Sequence, residues 1–339
     1  MESLLRRVSP ILRLTRVTTA FAVVGNVWFV ILWSRANPEE HATGAIVDRP
    51  AWLLLAAGAL SAVALYAFGA CLNDVLDARR DRALRPDRPI AAGQVSLDAA
   101  ALTVACTLIL AVFGSTVFGP AAVLVTLVVA GAILFFNVAA KFIPAIGLVV
   151  LGLIYGGHML VPNVGLHFLW PVWLVMTHAL IVGGIAHSLA RKVPPISGRA
   201  VSFAVAGWVF WSGVLLVVGW GKAARIEGLG PIRREDLAGG PWPVWLDVTV
   251  ALPPAILAIL FALFAWRKLR IAGAGPRAAE KIQRYGSLWL TLYATAWMLA
   301  AGHVGEAAIL GALAFAGFLG MTILRELYGL AEQPLGYRR

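Results

Sequence analysis

Acidic and basic residues follow a long apolar segment of this chain in one short run. The run begins at Asn73 and holds three aspartates, Asp74, Asp77 and Asp81, spaced at i, i+3 and i+7. On a helix this spacing places the three carboxylates on one side, where like charges repel by roughly a few tenths of a kcal/mol per exposed pair. A cation must offset that repulsion, and Mg²⁺ is suited because it takes hard oxygen ligands and bridges to substrate phosphates. We therefore predict a Mg²⁺–diphosphate site with the three aspartates as metal ligands and catalytic residues.

A solvated helix end is the other interpretation of the same run. In that case the acids pair with Arg79, Arg80 and Arg82, which lie within about two helical turns of them. The Asn-Asp pair, the spacing of the acids and the trailing Arg88-Pro89 favour the metal–diphosphate site.

The composition indicates a membrane protein. Of its 339 residues 60% are hydrophobic and only 13% are charged, and the mean hydropathy is +0.83. A soluble domain of this length could not bury so much apolar surface. Both cysteines, Cys71 and Cys106, lie in apolar segments, which predicts free thiols in the core rather than a disulfide. No linker or low-complexity tract interrupts the chain, so we expect a single domain over residues 1–339.

Ten apolar segments are near or above the roughly 18 residues needed to span a bilayer. The last two are separated by only two residues, and their combined length fits a hairpin better than one long helix. The sequence thus predicts an all-α, polytopic membrane helix bundle. The segments cover about 17–35, 51–72, 97–115, 119–138, 144–163, 169–190, 200–220, 244–266, 285–302 and 305–325.

Basic residues are distributed unevenly between the two sides of this bundle. With the N-terminus inside, 22 of the 28 lysines and arginines fall on the inner side, whereas acidic residues divide almost evenly. This asymmetry follows the positive-inside rule and predicts a multi-pass protein, of the cell inner membrane if bacterial, with the N-terminus and the charged loops cytoplasmic. Topology and attraction to anionic membrane lipids account for the net charge of +11, so no nucleic-acid partner is expected. The inner segments are 1–16, 73–96, 139–143, 191–199, 267–284 and the C-terminal tail.

Two further inner junctions carry polar residues at helical spacing. Arg13 and Arg16 lie i, i+3 before the first span, which fits either a topology signal or contact with a diphosphate. Asn137 and Lys141 lie i, i+4 at the end of the fourth span. Lys141 could extend towards the membrane surface or bind an anion, and the sequence alone leaves both open.

The end of the sixth span and the apolar interior hold the remaining candidates. His187 and Arg191 are spaced i, i+4, which predicts a shared helical face, and Lys192 follows them. Asn26 and His158 lie deeper in the spans. Ionisable groups inside a membrane segment indicate a functional site by default, although a lone histidine there more often makes an interhelical hydrogen bond than takes part in catalysis.

The stretch from Asn73 to Gly93, with Arg82 and Arg88-Pro89 after the aspartates, resembles the first aspartate-rich signature of the UbiA superfamily of intramembrane prenyltransferases. The junction around Lys141 is similar to the family's next polar junction, whose lysine is implied to face the diphosphate. The likeness in span rhythm extends over nearly the whole chain. It implies a bundle of nine helices, one fewer than our ten, around a central cavity open to the cytoplasm. In that cavity Mg²⁺ binds an isoprenoid diphosphate, and the prenyl group passes to a lipophilic, for example aromatic, acceptor.

The chain departs from this family at the second aspartate-rich motif, expected at the end of the sixth span. Residues 187–195 contain histidine, arginine and lysine there but no carboxylate. Two outcomes are open. Arg191 and Lys192 neutralise the diphosphate directly, or metal-dependent ionisation is lost and the protein binds or presents an isoprenoid lipid without cleaving it.

Our leading hypothesis is therefore Mg²⁺-dependent prenyl transfer, with a non-catalytic lipid-binding protein, a secondary transporter and a prenyl cyclase as alternatives. Tyr155 is a candidate for stabilising a prenyl cation through its aromatic face, although it fits a lipid-facing position equally well. The expected diphosphate-binding residues are Asn73, Arg82, Lys141, Arg191 and Lys192. The expected residues of the substrate cavity are Asn26, Asn137, Tyr155, His158 and His187.

Overall fold

The computed structural model of the chain describes residues 10–16, 20–40, 42–226, 240–273 and 275–332. These residues form helices and no strand, which confirms the all-α prediction. Short helical turns occur at Pro38–Glu40, Gly44–Val47, Ala140–Phe142 and Val248–Ala251. The longer helices are α1 (Phe21–Ala36), α2 (Ala51–Leu76), α3 (Ala78–Leu84), α4 (Leu97–Thr116), α5 (Pro120–Val138), α6 (Pro144–Met159), α7 (Trp170–Leu189), α8 (Gly198–Ile226), α9 (Leu252–Ala272), α10 (Pro276–Ala300) and α11 (Val304–Glu332).

Each of the ten predicted apolar segments corresponds to one of these helices, with α3 as an addition. Seven of them, α2, α4, α5, α7, α8, α9 and α11, are long and apolar enough to cross a membrane. Helices α1 and α6 are apolar but have 16 residues each. The membrane helix bundle is thus confirmed, while the count of nine to ten spans is not. Residues 17–19, with which the first predicted segment begins, lie outside the described residues.

Local sequence signals explain several helix boundaries. The Ser96 hydroxyl accepts a hydrogen bond from the Ala99 amide at 3.1 Å and caps the start of α4. Proline occupies the first turn of α5, α6, α7, α9 and α10, where its missing N–H costs nothing. Between α10 and α11 the chain turns at Gly302, whose φ of 85° is readily adopted by glycine. The predicted hairpin of the last two segments is therefore confirmed.

Small residues let the helices approach closely. A Cβ atom on Gly114 of α4 would lie 2.8 Å from the backbone nitrogen of Ser61 on α2. The Ser61 hydroxyl in turn donates a hydrogen bond to the Ala111 carbonyl at 3.0 Å. Contact between small residues together with a polar link is typical of helix pairs in membranes. Both cysteines are free thiols as predicted, but only Cys71 is buried, since Cys106 is exposed on the outer face of α4.

Successive long helices run antiparallel, so their junctions alternate between two ends of the bundle. One end carries the junctions at residues 73–96 and 139–143, together with residues 190–197 and the start of α10. We call it the charged end. Four of the segments that were predicted to lie on the inner side therefore lie together at the charged end, as far as their residues are described.

The opposite end, which we call the aromatic end, is packed with rings. Trp33 stacks on Phe168 with ring centroids 5.0 Å apart, and Phe168 meets Trp297 edge-on at 5.1 Å. Glu40 is fully buried among them. Its carboxylate accepts hydrogen bonds from the Trp33 indole at 2.8 Å and from the His167 amide at 2.7 Å. This packing closes the bundle at the end away from the charged junctions.

Candidate functional site

A cavity of about 820 Å³ opens at the charged end and extends into the bundle. Residues of α2, α3, α5, α6, α7 and α10 line it. Its mouth is charged, while Leu65, Ile133 and Leu151 make its interior largely apolar. The volume falls within the range of pockets that bind small molecules, about 300–1,000 Å³.

The aspartate-rich stretch sits at a break between two helices at this mouth. Helix α2 ends at Leu76 and α3 begins at Ala78, with Asp77 at the junction. Helical hydrogen bonding continues across the break, because the Asp77 amide donates to the Asn73 carbonyl at 2.9 Å and the Asp81 amide donates to the Asp77 carbonyl at 2.8 Å. The sequence places no glycine or proline at this break, so it gave no signal there.

Each of the three carboxylates is paired with a cation. The Arg88 guanidinium contacts both Asp74 and Asp81, at 3.1 Å from the latter, so these two aspartates share one side as predicted. Arg16 also reaches Asp74, at 3.1 Å. The cationic partners are therefore not the neighbouring arginines that a solvated helix end requires.

Asp77 is held from another part of the chain. The Lys141 ammonium lies 2.9 Å and 3.0 Å from its two carboxylate oxygens and 3.2 Å from the Asn73 amide oxygen. Lys141 sits in the turn between α5 and α6, and this turn folds closely onto α6 because Gly147 has no side chain. A Cβ atom there would lie 2.8 Å from the Ala140 carbonyl oxygen. The two junctions singled out in the sequence thus meet at one mouth.

The oxygen donors at the mouth fit Mg²⁺. Asn73, Asp77 and Asp81 line the cavity, whereas Asp74 is buried behind the lining with 4% of its surface exposed. Within the described residues no three His, Cys, Asp or Glu side chains gather into a ready-made metal site. Mg²⁺ commonly uses only one or two protein carboxylates, with phosphate and water completing its shell, so two cavity-facing carboxylates suffice.

The protonation of Asp81 is shifted by its surroundings. Burial raises the pKa of this carboxyl above its ordinary value, because a charge is less well solvated inside the protein. Arg88 opposes the shift, and the nearby Asp77 and Asp74 reinforce it. The carboxylate therefore gains from any further positive charge placed next to it.

The stretch that replaces the second aspartate-rich motif also reaches the cavity. Helix α7 ends at Leu189, and Arg191 follows in the left-handed region with a φ of 49°. The predicted helical face shared by His187 and Arg191 is therefore wrong, because the helix ends first. Both residues nevertheless line the cavity, as does Lys192, and the His187 ring donates to the Pro194 carbonyl at 2.8 Å.

The start of α10 contributes residues that the sequence did not single out. Glu280 and Arg284 lie i, i+4 and line the same mouth. The signal that could have found them is a pair of opposite charges at the start of an otherwise apolar helix. In contrast, Arg82 is exposed and does not line the cavity, whereas Arg85 does.

Deeper in the cavity, Asn137, Tyr155 and His158 contribute to the lining as expected, and His178 adds to them. The His158 Nε2 atom lies 3.3 Å from the Ala62 carbonyl oxygen, and its Nδ1 has no hydrogen-bond partner within the described residues.

His178 and Asn26 have different surroundings. The Nε2 atom of His178 donates to the Gly286 carbonyl at 2.9 Å, and its Nδ1 accepts from the Tyr293 hydroxyl at 3.2 Å. Both ring nitrogens are thus satisfied in the neutral form. Asn26 is 1% exposed and does not line the cavity, so the structure does not bring it into the substrate space.

Comparison with known proteins finds one matching family model and similar solved structures. Residues 28–193 match the model of the UbiA prenyltransferase family. A solved structure described as digeranylgeranylglyceryl phosphate synthase in membranes is similar at a TM-score of 0.51 and 18% identity, covering 87% of this chain and 98% of that one. At this identity the likeness concerns the fold alone.

A UbiA homologue from Aeropyrum pernix K1, solved in the apo state, aligns at a TM-score of 0.40 and 20% identity over 91% of this chain and 97% of that one. No curated protein matches the sequence.

Proposed function

We propose that this chain, whose residues 28–193 match the model of the UbiA prenyltransferase family, transfers an isoprenoid group from its diphosphate to a lipophilic acceptor within the membrane. One observation carries this proposal: an apolar cavity of about 820 Å³ ends in a mouth where acids and an excess of cations meet. A prenyl diphosphate has the same division, with an apolar tail and an anionic head. We take the whole chain as one membrane domain with this activity.

Asn73, Asp77 and Asp81 are the residues we assign to Mg²⁺, because their oxygens face the cavity. When bound, Mg²⁺ supplies positive charge next to the diphosphate oxygens and favours their departure. Asp74 lies behind this set, and its role is to position Arg16 and Arg88, both of which contact it.

The basic residues of the mouth stabilise the leaving group. As the bond between the prenyl carbon and the diphosphate oxygen breaks, its electron pair stays on the diphosphate. Lys141, Arg191 and Lys192 place positive charges where that negative charge grows, and such preorganised charges are usually the largest single contribution to lowering the barrier. The acceptor then bonds to the prenyl carbon, and the departing diphosphate takes up the proton that the acceptor loses.

The apolar interior protects the reactive carbon. Leu65, Ile133 and Leu151 exclude water that would otherwise capture the prenyl cation. Tyr155 lines the same space and offers an aromatic face for cation–π stabilisation. The lipophilic acceptor reaches this site from the membrane, and the charged end faces the cytoplasm because it gathers the basic junctions.

A protein that binds an isoprenoid diphosphate without cleaving it is the second candidate. The absence of carboxylates in residues 187–195 favours it, because a second metal has no ligands there. The secondary transporter is supported less well. The stacked Trp33 and Phe168 and the buried Glu40 close the far end of the bundle.

The deciding experiment uses purified protein with geranylgeranyl or farnesyl diphosphate, with and without Mg²⁺, and measures free diphosphate and any prenylated product. We expect Mg²⁺-dependent release that Asp77→Ala abolishes. Asp87→Ala is the matched control, since Asp87 is exposed and does not line the cavity. Binding of the prenyl diphosphate without release of free diphosphate would contradict the transferase proposal and support the non-catalytic binding protein.

A further inference from the structure

The charged residues of the cavity mouth fall into two sets, which we call halves because they differ in ion pairing and net charge. In the first half the three aspartates face three cations, namely Arg16, Arg88 and Lys141, at ion-pair distance. Three negative and three positive charges cancel. This half therefore offers no net charge to an incoming anion until a metal binds.

The second half, which we call the basic half, is strongly cationic. Among the described residues none of its cations has a carboxylate at ion-pair distance, and Glu280 is the one acid of the cavity lining that is not an aspartate of the first half. Five positive charges and one negative charge leave an excess of four. The basic half consists of Arg80, Arg85, Arg191, Lys192 and Arg284.

The basic half is held together against electrostatic repulsion. Lys192 is open to the cavity, yet partial burial lowers its pKa, and the charges of Arg85, Arg16, Arg88 and Lys141 lower it further. Like charges at such proximity destabilise the ligand-free protein unless an anion offsets them.

The backbone of this half is also strained. Arg191 adopts a φ of 49°, a conformation that costs a residue other than glycine roughly 1–2 kcal/mol. Strained residues of this kind concentrate at binding sites, where the surrounding structure holds them in place.

We propose that the basic half is a metal-independent anion site that binds the diphosphate of the prenyl donor, leaving Mg²⁺ to promote bond breaking rather than binding. The inference rests on the proposed function and deepens it. A prenyl diphosphate carries about three negative charges near neutral pH. The surplus of four positive charges in the basic half offsets them without any metal. The missing carboxylates of residues 187–195 are thereby replaced in their binding role by cations that contact phosphate oxygens directly.

The test is a binding titration of the full-length protein in detergent, with EDTA present throughout. The probes are inorganic diphosphate and geranylgeranyl diphosphate, and calorimetry reports the dissociation constant. We expect both probes to bind, with an affinity that falls as salt is added because the contact is ionic. We expect Arg191→Gly and Lys192→Ala each to weaken binding by about tenfold or more, the size of a lost charge-assisted hydrogen bond.

The variants are chosen so that misfolding is separable from lost binding. Arg191→Gly removes the charge while relieving the left-handed backbone, and Lys192→Arg keeps the charge and should retain the affinity. Lys281→Ala is the matched control, because Lys281 is exposed on the helix that carries Arg284 but does not line the cavity. Equal weakening by Lys281→Ala would show a diffuse charge effect and overturn the proposal.

Two further outcomes overturn the inference while leaving prenyl transfer intact. One is binding that appears only with Mg²⁺, alongside Mg²⁺-dependent release. The other is failure of diphosphate to bind in EDTA, while nanodiscs rich in anionic lipid associate with the protein through Arg191 and Lys192, which would assign the basic half to lipid headgroups. Conversely, EDTA-resistant binding without any Mg²⁺-dependent release would uphold the anion site and refute the transferase.

Discussion

Lys141 and Asp77 form an ion pair at 2.9 Å although 64 residues separate them in the chain. The pair joins the turn between α5 and α6 to the break between α2 and α3. It places an ammonium group and a carboxylate at the cavity mouth in mutual contact. In the proposed function Asp77 would help to hold Mg²⁺, which would supply positive charge next to the diphosphate, and Lys141 would then contact the diphosphate instead of Asp77. Without a ligand, the ion pair holds the two junctions together at the mouth.

Asp77→Asn should lower Mg²⁺-dependent diphosphate release by more than about tenfold, the loss typical even of residues that only support a metal ligand. The amide keeps the size of the side chain but removes the charge that a divalent ion requires. Release assays across a Mg²⁺ titration should show the loss, and Asp87→Asn should behave like the parent protein. Unchanged turnover in Asp77→Asn would remove Asp77 from the metal site.

Arg88→Ala should destabilise the protein strongly. Asp74 and Asp81, which are 4% and 6% exposed, would lose a shared partner, and breaking a buried ion pair costs about 3–5 kcal/mol. Thermal unfolding in detergent measures the effect. Arg82→Ala is the control, because Arg82 is exposed, does not line the cavity and has no carboxylate at ion-pair distance in the described chain, so its change should stay within about 0.5 kcal/mol. Similar melting of both variants would contradict the bridging role.

Gly147→Ala should reduce turnover more than its small change in volume suggests. The added methyl group would lie 2.8 Å from the Ala140 carbonyl oxygen and 3.4 Å from the Lys141 Cα atom, so the turn that carries Lys141 must shift. Gly184→Ala is the control, because its nearest neighbour, a leucine side chain, would lie at an ordinary 3.6 Å. A normal rate in Gly147→Ala would show that the position of Lys141 tolerates displacement.

Diphosphate affinity in EDTA should fall as the pH rises through the lowered pKa of Lys192. Burial and neighbouring cations make this lysine lose its charge at a lower pH than an ordinary lysine. A bound anion raises the pKa again, so binding takes up a proton in the pH range between the two values. Titrations in buffers of different ionisation enthalpy detect that proton. Lys192→Arg should flatten the pH dependence, since arginine stays charged throughout.

Local spacing was enough to predict the part of the site that lies within one stretch of sequence. The i, i+7 separation placed Asp74 and Asp81 on one side, where Arg88 meets both. The apolar segments likewise predicted ten helices, because a bilayer imposes a minimum length on them.

What the sequence could not supply depends on tertiary packing. Glu280 and Arg284 reach the mouth because α10 packs beside α7, and no motif in the sequence predicts that contact. Asn26 was expected in the cavity but does not line it. The sequence places this polar residue in an apolar helix without showing which neighbouring helix its side chain faces. The predicted segment 169–190 ends within one residue of α7, but the i, i+4 spacing still placed His187 and Arg191 on one helical face, because no glycine or proline directly marks the helix end between them.

Arg16 and Arg191 share a left-handed backbone, with φ values of 50° and 49°, and both line the cavity mouth. Glycine would occupy either position with less conformational penalty, so the chain gives up thermostability in order to keep a guanidinium there. Glycine at either position would relieve the backbone strain but would remove a guanidinium from the mouth of the proposed diphosphate site.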